Sequence, residues 1–416
     1  MKILHVTQGY HPAIGGTEWL MQRVSEELVA QFGDEVTVFT TNCYNGEAFF
    51  TPSLPRLPAG WEEINGVQVR RFPVNSRASR LLRFPQAVAY NLGIPGNQYL
   101  RVLAGGPIIQ GLEQAIRAHP ADLVAASSFP LLHMFSALRA ARATGRPCVL
   151  QGGLHPQDSW GFARPMIYRA IQAASHYIAY TDYEAGYVIE RGVSPQQVTT
   201  VGVGVDLEPF EQVSKSQAKA SLGLEGKQVV GFIGQIGAFK GVDTVLRAMS
   251  VVWRVYPDAH LLIAGAQTLF SPELERMIAR LPEAEQQKIV LRYNFTQAEK
   301  ACLFSAVDVF TYPSGFESFG IAFLEAWACR EPVIGCRRGA IPWVIQAGRD
   351  GLLVEFQNEF MLAEAIILLL ANPRWAQALG EAGYQKVQER YNWPEIARRF
   401  REIYLAALEG RETGAR

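Results

Sequence analysis

Two glutamates in the second half of the chain have the residue type and spacing that could do chemistry. Glu317 and Glu325 are separated by seven residues in the stretch PSGFESFGIAFLEAWA, residues 313–328. The preceding DVFTY has the pattern of a buried strand, and a helix is predicted to begin near residues 318–320. At about 1.5 Å per helical residue, the two carboxylates are predicted to lie roughly 8–12 Å apart. That span suits one carboxylate on a sugar hydroxyl and another on a ribose, with a diphosphate between them.

The start of this predicted helix also favours phosphate binding. Its first backbone N–H groups have no partner inside the helix and attract anions. Gly320 lets a ligand approach the backbone closely. The candidate phosphate-binding residues are Ser318, Phe319, Gly320 and Ile321. The alternative is a solvated first-turn glutamate with an unrelated second one, which the strand–loop–helix context disfavours.

Three further candidates follow predicted strands in the same way. Gly15 and Gly16 lie between the first strand and a helix, where a backbone can approach a diphosphate, although a plain tight turn is the alternative. Lys240 follows the strand GFIG and can neutralise a phosphate as it leaves, although a lone lysine is usually solvated. His155 lies in LQGGLHPQD after another strand, and a structural histidine is the alternative there.

The rest of the chain alternates short β-branched runs with helix-length amphipathic segments, which is typical of parallel βαβ units. We predict an N-terminal Rossmann-like domain of residues 1–207 and a C-terminal one of residues 208–391. A final helix, 392–410, is predicted to cross back onto the first domain, and the alternative is that it caps the second. The polar segment 206–227 is interpreted as the connection between the domains, and 44–66 as an active-site loop.

Composition excludes several classes of function. Lys plus Arg equals Asp plus Glu at 39 each, so no bulk charge indicates nucleic acid as a partner. The five cysteines show no C-x-x-C spacing, which favours free thiols in a reducing compartment such as the cytoplasm. The first residues resemble a strand more than a signal peptide, and no apolar run reaches membrane-spanning length. Without a D-x-D triplet or a metal-ligand cluster, we expect no metal cofactor. A P-loop and a G-x-G-x-x-G fingerprint are also missing, which disfavours an NTPase or a dinucleotide oxidoreductase.

The ordered set of motifs resembles the family 4 retaining glycosyltransferases, also called glycosyl transferases group 1, which have the GT-B fold. The glutamate pair is similar to that family's E-x(7)-E motif, and the resemblance covers nearly the whole chain. The other similar stretches are PAIGGTEWLMQRVSEELVAQFGDEVTVFTT, TTVGVGVDLEPF, GFIGQIGAFKGVDTVLRAM and GIAFLEAWACREPVIGCRRGAIPWVIQAGRDGLLV. The resemblance implies an α/β protein with two Rossmann-like, doubly wound parallel-sheet domains that face a deep cleft. By the same resemblance, the N-terminal domain would hold the acceptor and the C-terminal domain the donor.

The same resemblance implies a role for each candidate residue. Glu317 would bind donor-sugar hydroxyls, Glu325 the ribose, and Lys240 with the helix-start amides the diphosphate. His155 would contact the donor sugar or orient the reacting centre. The glycine pair would shape the donor and acceptor site, and the base would be read by backbone near Tyr293 and Asn294. The partners implied are a nucleoside-diphosphate sugar, UDP- or GDP-linked, and an acceptor glycan or lipid.

Three positions depart from the family pattern. Gln235 stands where an arginine normally shares phosphate binding, Arg330 where a glycine is usual, and Trp343 where a glutamate is frequent. These departures keep two alternatives open. One is a degenerate sugar-nucleotide-binding protein without turnover, and the other is a GT-B relative such as an epimerase or a phosphorylase.

One surface segment has a pattern that would let it rest on a membrane surface or grip a lipid-linked acceptor. In SRASRLLRFPQAVAYNL, arginines at three-residue spacing stand beside apolar residues: Arg77, Arg80, Arg83, Leu81, Leu82 and Phe84. This pattern is that of an interfacial helix, and a solvated helix is the alternative.

Overall fold

Two β-sheets organise the chain in the computed structural model, which describes residues 1–13 and 15–414. The strands of the first sheet are β1 (Lys2–Val6), β2 (Glu35–Thr41), β3 (Gly60–Ile64), β4 (Val67–Phe72), β5 (Leu123–Ser127), β6 (Cys148–Gln151), β7 (His176–Ala179) and β8 (Val198–Thr200). Those of the second are β9 (Val229–Ile233), β10 (His260–Gly265), β11 (Ile289–Tyr293), β12 (Val309–Tyr312), β13 (Val333–Cys336) and β14 (Gly351–Val354).

Helices connect most of these strands. The α-helices before β9 are α1 (Gly16–Phe32), α2 (Ser76–Asn91), α3 (Asn97–Gly105), α4 (Leu112–Ala118), α5 (Leu132–Ala143), α6 (Ser159–Phe162), α7 (Pro165–Gln172), α8 (Asp182–Ile189), α9 (Glu208–Glu211) and α10 (Lys215–Ser221). Those after it are α11 (Val242–Val255), α12 (Ser271–Ala279), α13 (Glu283–Gln286), α14 (Gln297–Ser305), α15 (Ile321–Ala328), α16 (Ile341–Val344), α17 (Glu359–Ala371), α18 (Pro373–Arg390) and α19 (Trp393–Gly414). Short 3₁₀ helices lie at Gly46–Phe49, Pro195–Gln197 and Ala238–Lys240.

Strand order identifies both sheets as doubly wound. The first sheet runs β3-β4-β2-β1-β5-β6-β7-β8 and the second β11-β10-β9-β12-β13-β14. All neighbouring strands pair in parallel except β3 with β4, which are antiparallel. Central strands such as β5, β9 and β13 are buried along their whole length, as expected for parallel strands covered by helices on both faces.

The chain forms two compact units, each built on one of the sheets. The first unit comprises Met1–Val203 and the chain from Trp393 onward, and the second comprises Gly204–Asn392. Within the first unit, α19 packs on β1 and α1. The Tyr404 hydroxyl lies 3.1 Å from His5 Nε2, and Arg401 Nε donates to Asp34 at 2.8 Å. Trp393 meets Trp19 edge-to-face with ring centroids 6.4 Å apart.

Two segments contain more ordered structure than their composition predicts. The supposed loop 44–66 contains a 3₁₀ turn and the antiparallel edge strand β3, and its Ala48 and Phe49 are buried beside Cys43. The supposed connection 206–227 folds into α9 and α10 within the second unit. There a capping box between Ser214 and Gln217 starts α10. The interpretation of 206–227 as a connection and that of 44–66 as an unpacked loop were therefore wrong, because a few buried side chains and one cap order segments that are otherwise polar. That 44–66 contributes to the active site stays a prediction.

Candidate functional site

The candidate residues of the second unit lie in loops at one edge of its sheet. Gln235 and Lys240 follow β9, the 318–321 stretch follows β12, and Asn294 follows β11. Because the strands are parallel, these loops all emerge at the carboxyl ends of the strands, where α/β proteins bind ligands. Strands β9 and β12 are direct neighbours, so the lysine and the glutamate loop are adjacent.

Hydrogen bonds join the β9 loop to the β12 loop. The Gly315 N–H donates to the Phe239 carbonyl at 2.8 Å, and Lys240 Nζ donates to the Phe316 carbonyl at 3.0 Å. Gly241 has φ 83° and packs so tightly that a Cβ there would lie 2.5 Å from the Pro313 carbonyl oxygen. Only glycine fits both constraints, so the glycine after the lysine holds the two loops together.

Lys240 and Glu317 form an ion pair in which each side chain is 12% exposed. Lys240 Nζ donates to Glu317 Oε1 at 2.5 Å. Burial, and then the negative charge of Glu317, raise the pKa of the Tyr312 hydroxyl at the end of β12. The lysine ammonium therefore stands beside a carboxylate in a partly dehydrated setting, where electrostatic interactions are stronger than in water.

The start of α15 offers unpaired backbone donors. Gly320 caps the helix at φ 97°, and within residues 1–13 and 15–414 the N–H groups of Ser318 and Phe319 donate to no acceptor. Unpaired N–H groups and the positive end of the helix dipole make this turn suitable for an anion. Ile321 is the first residue of α15, one residue beyond the predicted start near 318–320.

The second glutamate of the motif has a lysine partner that sequence reasoning missed. Lys300 Nζ on α14 donates to Glu325 Oε1 at 2.7 Å, and Glu325 is 12% exposed. Each carboxylate of the motif is thus paired with one ammonium group. No sequence signal marks Lys300, which is one charged residue on a helix that begins with a capping box at Thr296.

Tyr293 is the last residue of β11, and Asn294 follows it farther along the same sheet edge. Strand β10 lies between β11 and β9. Asn294 has φ 53°, its N–H donates to the Gly265 carbonyl, and its amide oxygen accepts from the Gln267 N–H at 2.9 Å. Asn294 therefore shapes the loop after β10. Gln235 is the second residue after the end of β9, and its side chain is exposed to solvent.

Arg330 lies at the end of α15 that is remote from these loops, whereas Trp343 follows β13, whose carboxyl end is at the same sheet edge as theirs. Arg330 follows α15 at its C-terminal end, has φ 61°, and stacks on Tyr384 with its guanidinium carbon 3.6 Å from the ring centroid. It also pairs with Glu381. Trp343 lies in α16 and is 56% exposed. Arg330 therefore acts on the packing of α18, at the end of α15 opposite to the unpaired amides.

In the first unit, the glycine pair accommodates a glutamate. A Cβ on Gly15 would lie 2.2 Å from Glu18 Oε2, so the missing side chain leaves room for that carboxylate. Gly16 is the first residue of α1. Burial raises the pKa of Glu18. Packing against Glu18 is therefore a second reason for the glycine at position 15, beside the predicted approach of a ligand.

The loop that carries His155 is held by a buried carboxylate that sequence reasoning also missed. Glu184 Oε1 accepts from the Gly153 and Leu154 N–H groups at 3.0 Å each and from the Tyr177 hydroxyl at 2.6 Å. Its other oxygen accepts from the Tyr180 N–H at 2.8 Å. Burial raises the pKa of Glu184. The half-buried His155 ring packs against Phe162 with centroids 5.5 Å apart.

Metal clusters and membrane-spanning helices are both absent from the described ranges, 1–13 and 15–414. No group of three or more histidine, cysteine or acidic side chains there is arranged to hold a metal ion. Within the same ranges, no helix combines the length and the apolar character that crossing a bilayer requires. All five cysteines are free thiols.

Comparison with known proteins gives matches along most of the chain. Residues 15–204 match the glycosyl transferase 4-like domain, and residues 214–386 match glycosyl transferases group 1. The chain is 34% identical over 238 residues to a D-inositol 3-phosphate glycosyltransferase of Segniliparus rotundus, covering 56% of this chain and 52% of that protein. It is 31% identical over 268 residues to an alpha-maltose-1-phosphate synthase of Mycolicibacterium smegmatis, covering 61% of this chain and 67% of that protein. The match thus spans about half the length of the first relative and two thirds of the second.

Solved structures share the fold over the full length of the chain. Sucrose-phosphate synthase from Thermosynechococcus elongatus superposes with a TM-score of 0.74 at 22% identity, covering 99% of this chain and 100% of that one. HepE of Anabaena, solved with UDP and glucose, gives 0.72 at 17% identity, with 98% and 100% covered. These likenesses confirm the expected GT-B fold, and the roles of the individual residues remain predictions. With both family models matched in order, the chain belongs to the family 4 glycosyltransferases, the glycosyl transferases group 1 family.

Proposed function

We propose that the protein transfers a sugar from a nucleoside-diphosphate sugar to an acceptor hydroxyl and retains the configuration at the anomeric carbon. The observation that carries this proposal is the pair of lysine–glutamate contacts, Lys240 with Glu317 and Lys300 with Glu325, beside unpaired amides at the start of α15. Few arrangements other than a sugar-diphosphate site need two carboxylates, two ammonium groups and an anion-binding helix turn at one sheet edge.

Each group has a chemical task in this proposal. The helix-start amides and Lys240 bind the diphosphate and stabilise the charge that develops as it leaves. Glu317 accepts hydrogen bonds from donor-sugar hydroxyls, and Glu325 accepts them from the ribose. Lys240 lies 2.5 Å from Glu317, so a bound phosphate competes with that carboxylate for the ammonium group. A phosphate competes better as negative charge moves onto it, so the contact between Lys240 and the leaving group strengthens during the reaction.

Retention fits a mechanism without a covalent intermediate. The bond between the anomeric carbon and the diphosphate oxygen breaks, and the acceptor hydroxyl oxygen bonds to that carbon from the same face of the sugar. The proton of the acceptor hydroxyl passes to an oxygen of the leaving diphosphate. Positioning and charge stabilisation then supply the rate enhancement. In the first unit, His155 is the candidate group for orienting the reactants, and Glu184 fixes the loop that carries it.

A UDP-linked sugar is the first donor to test. HepE, which has the same fold, was solved with UDP and with UDP-glucose. The relatives named D-inositol 3-phosphate glycosyltransferase support sugar transfer to a small hydroxyl-bearing acceptor. We also propose that the reaction needs no metal, because amides and lysines supply the positive charge. The free thiols support a reducing compartment such as the cytoplasm.

The decisive experiment measures release of nucleoside diphosphate from UDP-, GDP- and ADP-sugars, with and without candidate acceptors. Glu317→Ala and Glu325→Ala are expected to lower turnover by at least about a hundredfold while the proteins remain folded, because each removes a contact to the donor. Glu283→Gln on α13 is the matched control and is expected to behave as wild type, because its side chain is exposed and far along the chain from both loops. Wild-type rates in folded Glu325→Ala protein contradict the assignment.

Two further arms separate the alternatives. Activity is expected to survive EDTA, and a loss that magnesium or manganese restores contradicts the metal-free proposal. Isomerised sugar formed without an acceptor identifies an epimerase, and binding of a nucleotide sugar without any turnover identifies a binding protein.

A further inference from the structure

Two buried arginines in the first unit have no acidic partner. Arg101 on α3 is 7% exposed, and Arg164, which precedes α7, is 3% exposed. Within the described residues, neither side chain lies within 4 Å of a carboxylate. Folded proteins bury charged groups when these are paired, because leaving water costs several kcal/mol per ion. Asp158 attracts both arginines but lies beyond ion-pair distance of either, so the positive charge of the pair is only partly compensated.

The hydrogen bonding of these arginines is also incomplete. Arg101 Nε and Nη2 are buried and have no acceptor. Arg164 has only long contacts of 3.4 Å from Nε and Nη2 to the Trp160 carbonyl oxygen. Burial lowers the pKa of Arg101, and burial together with the charge of Arg101 lowers that of Arg164 to about 10. Asp158 partly opposes both shifts, but its Oδ1 accepts the Gly161 N–H at 2.8 Å.

Two partly exposed aromatic rings stand beside the arginines. The Arg101 guanidinium carbon lies 4.7 Å from the ring centroids of both Tyr90 and Trp160, and that of Arg164 lies 5.4 Å from Trp160. Tyr90 is 41% and Trp160 48% exposed, so solvent reaches the rings although the cations behind them are buried. Aromatic walls around a few polar groups are typical of small-molecule sites.

The arginine pair shares its loop with His155. Trp160 and Arg164 belong to the same connection between β6 and α7. Within it, the Asp158 N–H donates to the His155 carbonyl at 2.9 Å, and the Arg164 N–H donates to the Phe162 carbonyl at 2.8 Å. The loop that carries the candidate catalytic group therefore also carries half of the arginine pair.

We propose that Arg101 and Arg164 bind a phosphate group on the acceptor, and that Tyr90 and Trp160 flank the body of the same molecule. This assignment rests on the proposed function and narrows its acceptor to a phosphorylated compound. Two guanidinium groups supply planar forks that match the oxygens of phosphate, and a dianion provides the missing counter-charge. The phosphate belongs either to a soluble phosphomonoester or to a lipid headgroup, which have this chemistry in common.

The test is calorimetric titration with inorganic phosphate, in the presence of UDP so that any diphosphate site is filled. Arg101→Gln and Arg164→Gln are each expected to weaken phosphate binding by about tenfold to a hundredfold, because each removes a charge-assisted contact. Arg142→Gln is the matched control, since Arg142 is an exposed arginine of α5 in the same unit. Equal affinity in wild type and both pair variants overturns the assignment, as does failure of the wild type to bind millimolar phosphate.

Stability separates ligand binding from a structural role. Without phosphate, the unfolding midpoint of Arg101→Gln is expected not to fall, because the change removes an uncompensated buried charge. If a glutamine variant does not fold, Arg101→Lys and Arg164→Lys keep the charge but lose the fork, and weaker phosphate binding in them supports the site. Wild-type affinity in both lysine variants contradicts it.

Two comparisons identify the source of the phosphate and keep this inference separate from the proposed function. Glycerol 3-phosphate and vesicles containing phosphatidic acid are titrated in parallel. A difference between wild type and Arg101→Gln with glycerol 3-phosphate indicates a soluble phosphomonoester, and a difference with the vesicles indicates a lipid headgroup. Wild-type protein is also titrated with UDP, GDP and ADP, each alone. Binding of UDP without arginine-dependent phosphate binding leaves the proposed function standing and removes this inference. Arginine-dependent phosphate binding in a protein that binds none of UDP, GDP and ADP keeps the phosphate site but removes the proposed function, and with it the assignment of that phosphate to an acceptor.

Discussion

The glutamate motif depends on a close contact between two helices, which Gly383→Ala would disturb. Gly383 on α18 faces Trp327 on α15, and a Cβ at this position would lie 2.0 Å from the indole Cδ1. Carbon atoms pack favourably at about 3.5–4.0 Å, so the contact must open by roughly 1.5–2 Å. Trp327 cannot rotate away freely, because it is fully buried and its indole N–H donates to the Asp350 carbonyl at 2.8 Å.

The expected cost follows from this geometry. Overpacking of a dense core destabilises by about 1–3 kcal/mol, so the free energy of unfolding of Gly383→Ala is expected to fall by that amount. Trp327 is two residues beyond Glu325 on α15, so a shifted helix also displaces the carboxylate from Lys300 and from a bound ribose. Loss of one charge-assisted hydrogen bond predicts about tenfold weaker UDP binding.

Denaturant unfolding and calorimetry with UDP measure the two effects. Gly186→Ala is the control, because a Cβ added to this helical glycine would have no atom within 4 Å. That replacement is expected to be neutral or stabilising by about 0.4–1 kcal/mol. Wild-type stability in Gly383→Ala refutes the packing argument. Lower stability with unchanged UDP affinity refutes the coupling between α18 and Glu325.

Three other predictions concern different parts of the chain. Gln235→Arg is expected to tighten UDP binding about tenfold, because it restores a cation beside the diphosphate; unchanged affinity means that the side chain faces elsewhere. Acid is expected to destabilise the fold, because burial lowers the pKa of His5 to about 3 and that of His133 to about 4. The contribution of these neutral histidines to the free energy of unfolding is fully present above the ordinary pKa of 6.5 and is lost as pH falls from there toward 4. The expected slope is about 2.7 kcal/mol per pH unit for the two residues together. His5→Gln is expected to halve that slope in denaturant titrations. Replacing Arg77, Arg80 and Arg83 by Glu is expected to weaken pelleting with anionic vesicles about a hundredfold, because each arginine contributes about 1 kcal/mol near such a surface. The neighbouring Leu81 and Phe84 are 77% and 78% exposed and therefore available to the membrane. Equal pelleting of both proteins ends the membrane hypothesis.

The sequence predicted the parts of the fold that have a strong local pattern. Buried parallel strands such as β9 and β12 are continuous apolar runs, and the loops after them carry the motif residues Lys240 and Glu317. Strand β3 escaped prediction because its residues, GWEEI, are mostly exposed at a sheet edge and show no apolar alternation. Helix α10 escaped because its sequence, KSQAKAS, is polar and buries only Ala218.

Partners of the site residues were harder to predict than the residues themselves. Lys300 is 25 residues from Glu325 along the chain, and Glu184 is 30 residues from Leu154. Each is one of two charged residues on its own helix, and only tertiary packing selects it. Arg101 and Arg164 were missed for the same reason, since a lone arginine normally indicates a solvated surface.

Arg330 shows how a departure from a family pattern can be structural and still leave the site intact. Its φ of 61° explains why glycine is usual at this position, because a left-handed conformation costs other residues roughly 1–2 kcal/mol. Stacking on Tyr384 and the ion pair with Glu381 offset that cost. Its carbonyl oxygen would lie 2.0 Å from a Cβ on Gly380, so the turn is held against α18 by backbone contact. The substitution therefore changes how the end of α15 is secured and leaves the amides and carboxylates of the glutamate motif unaltered.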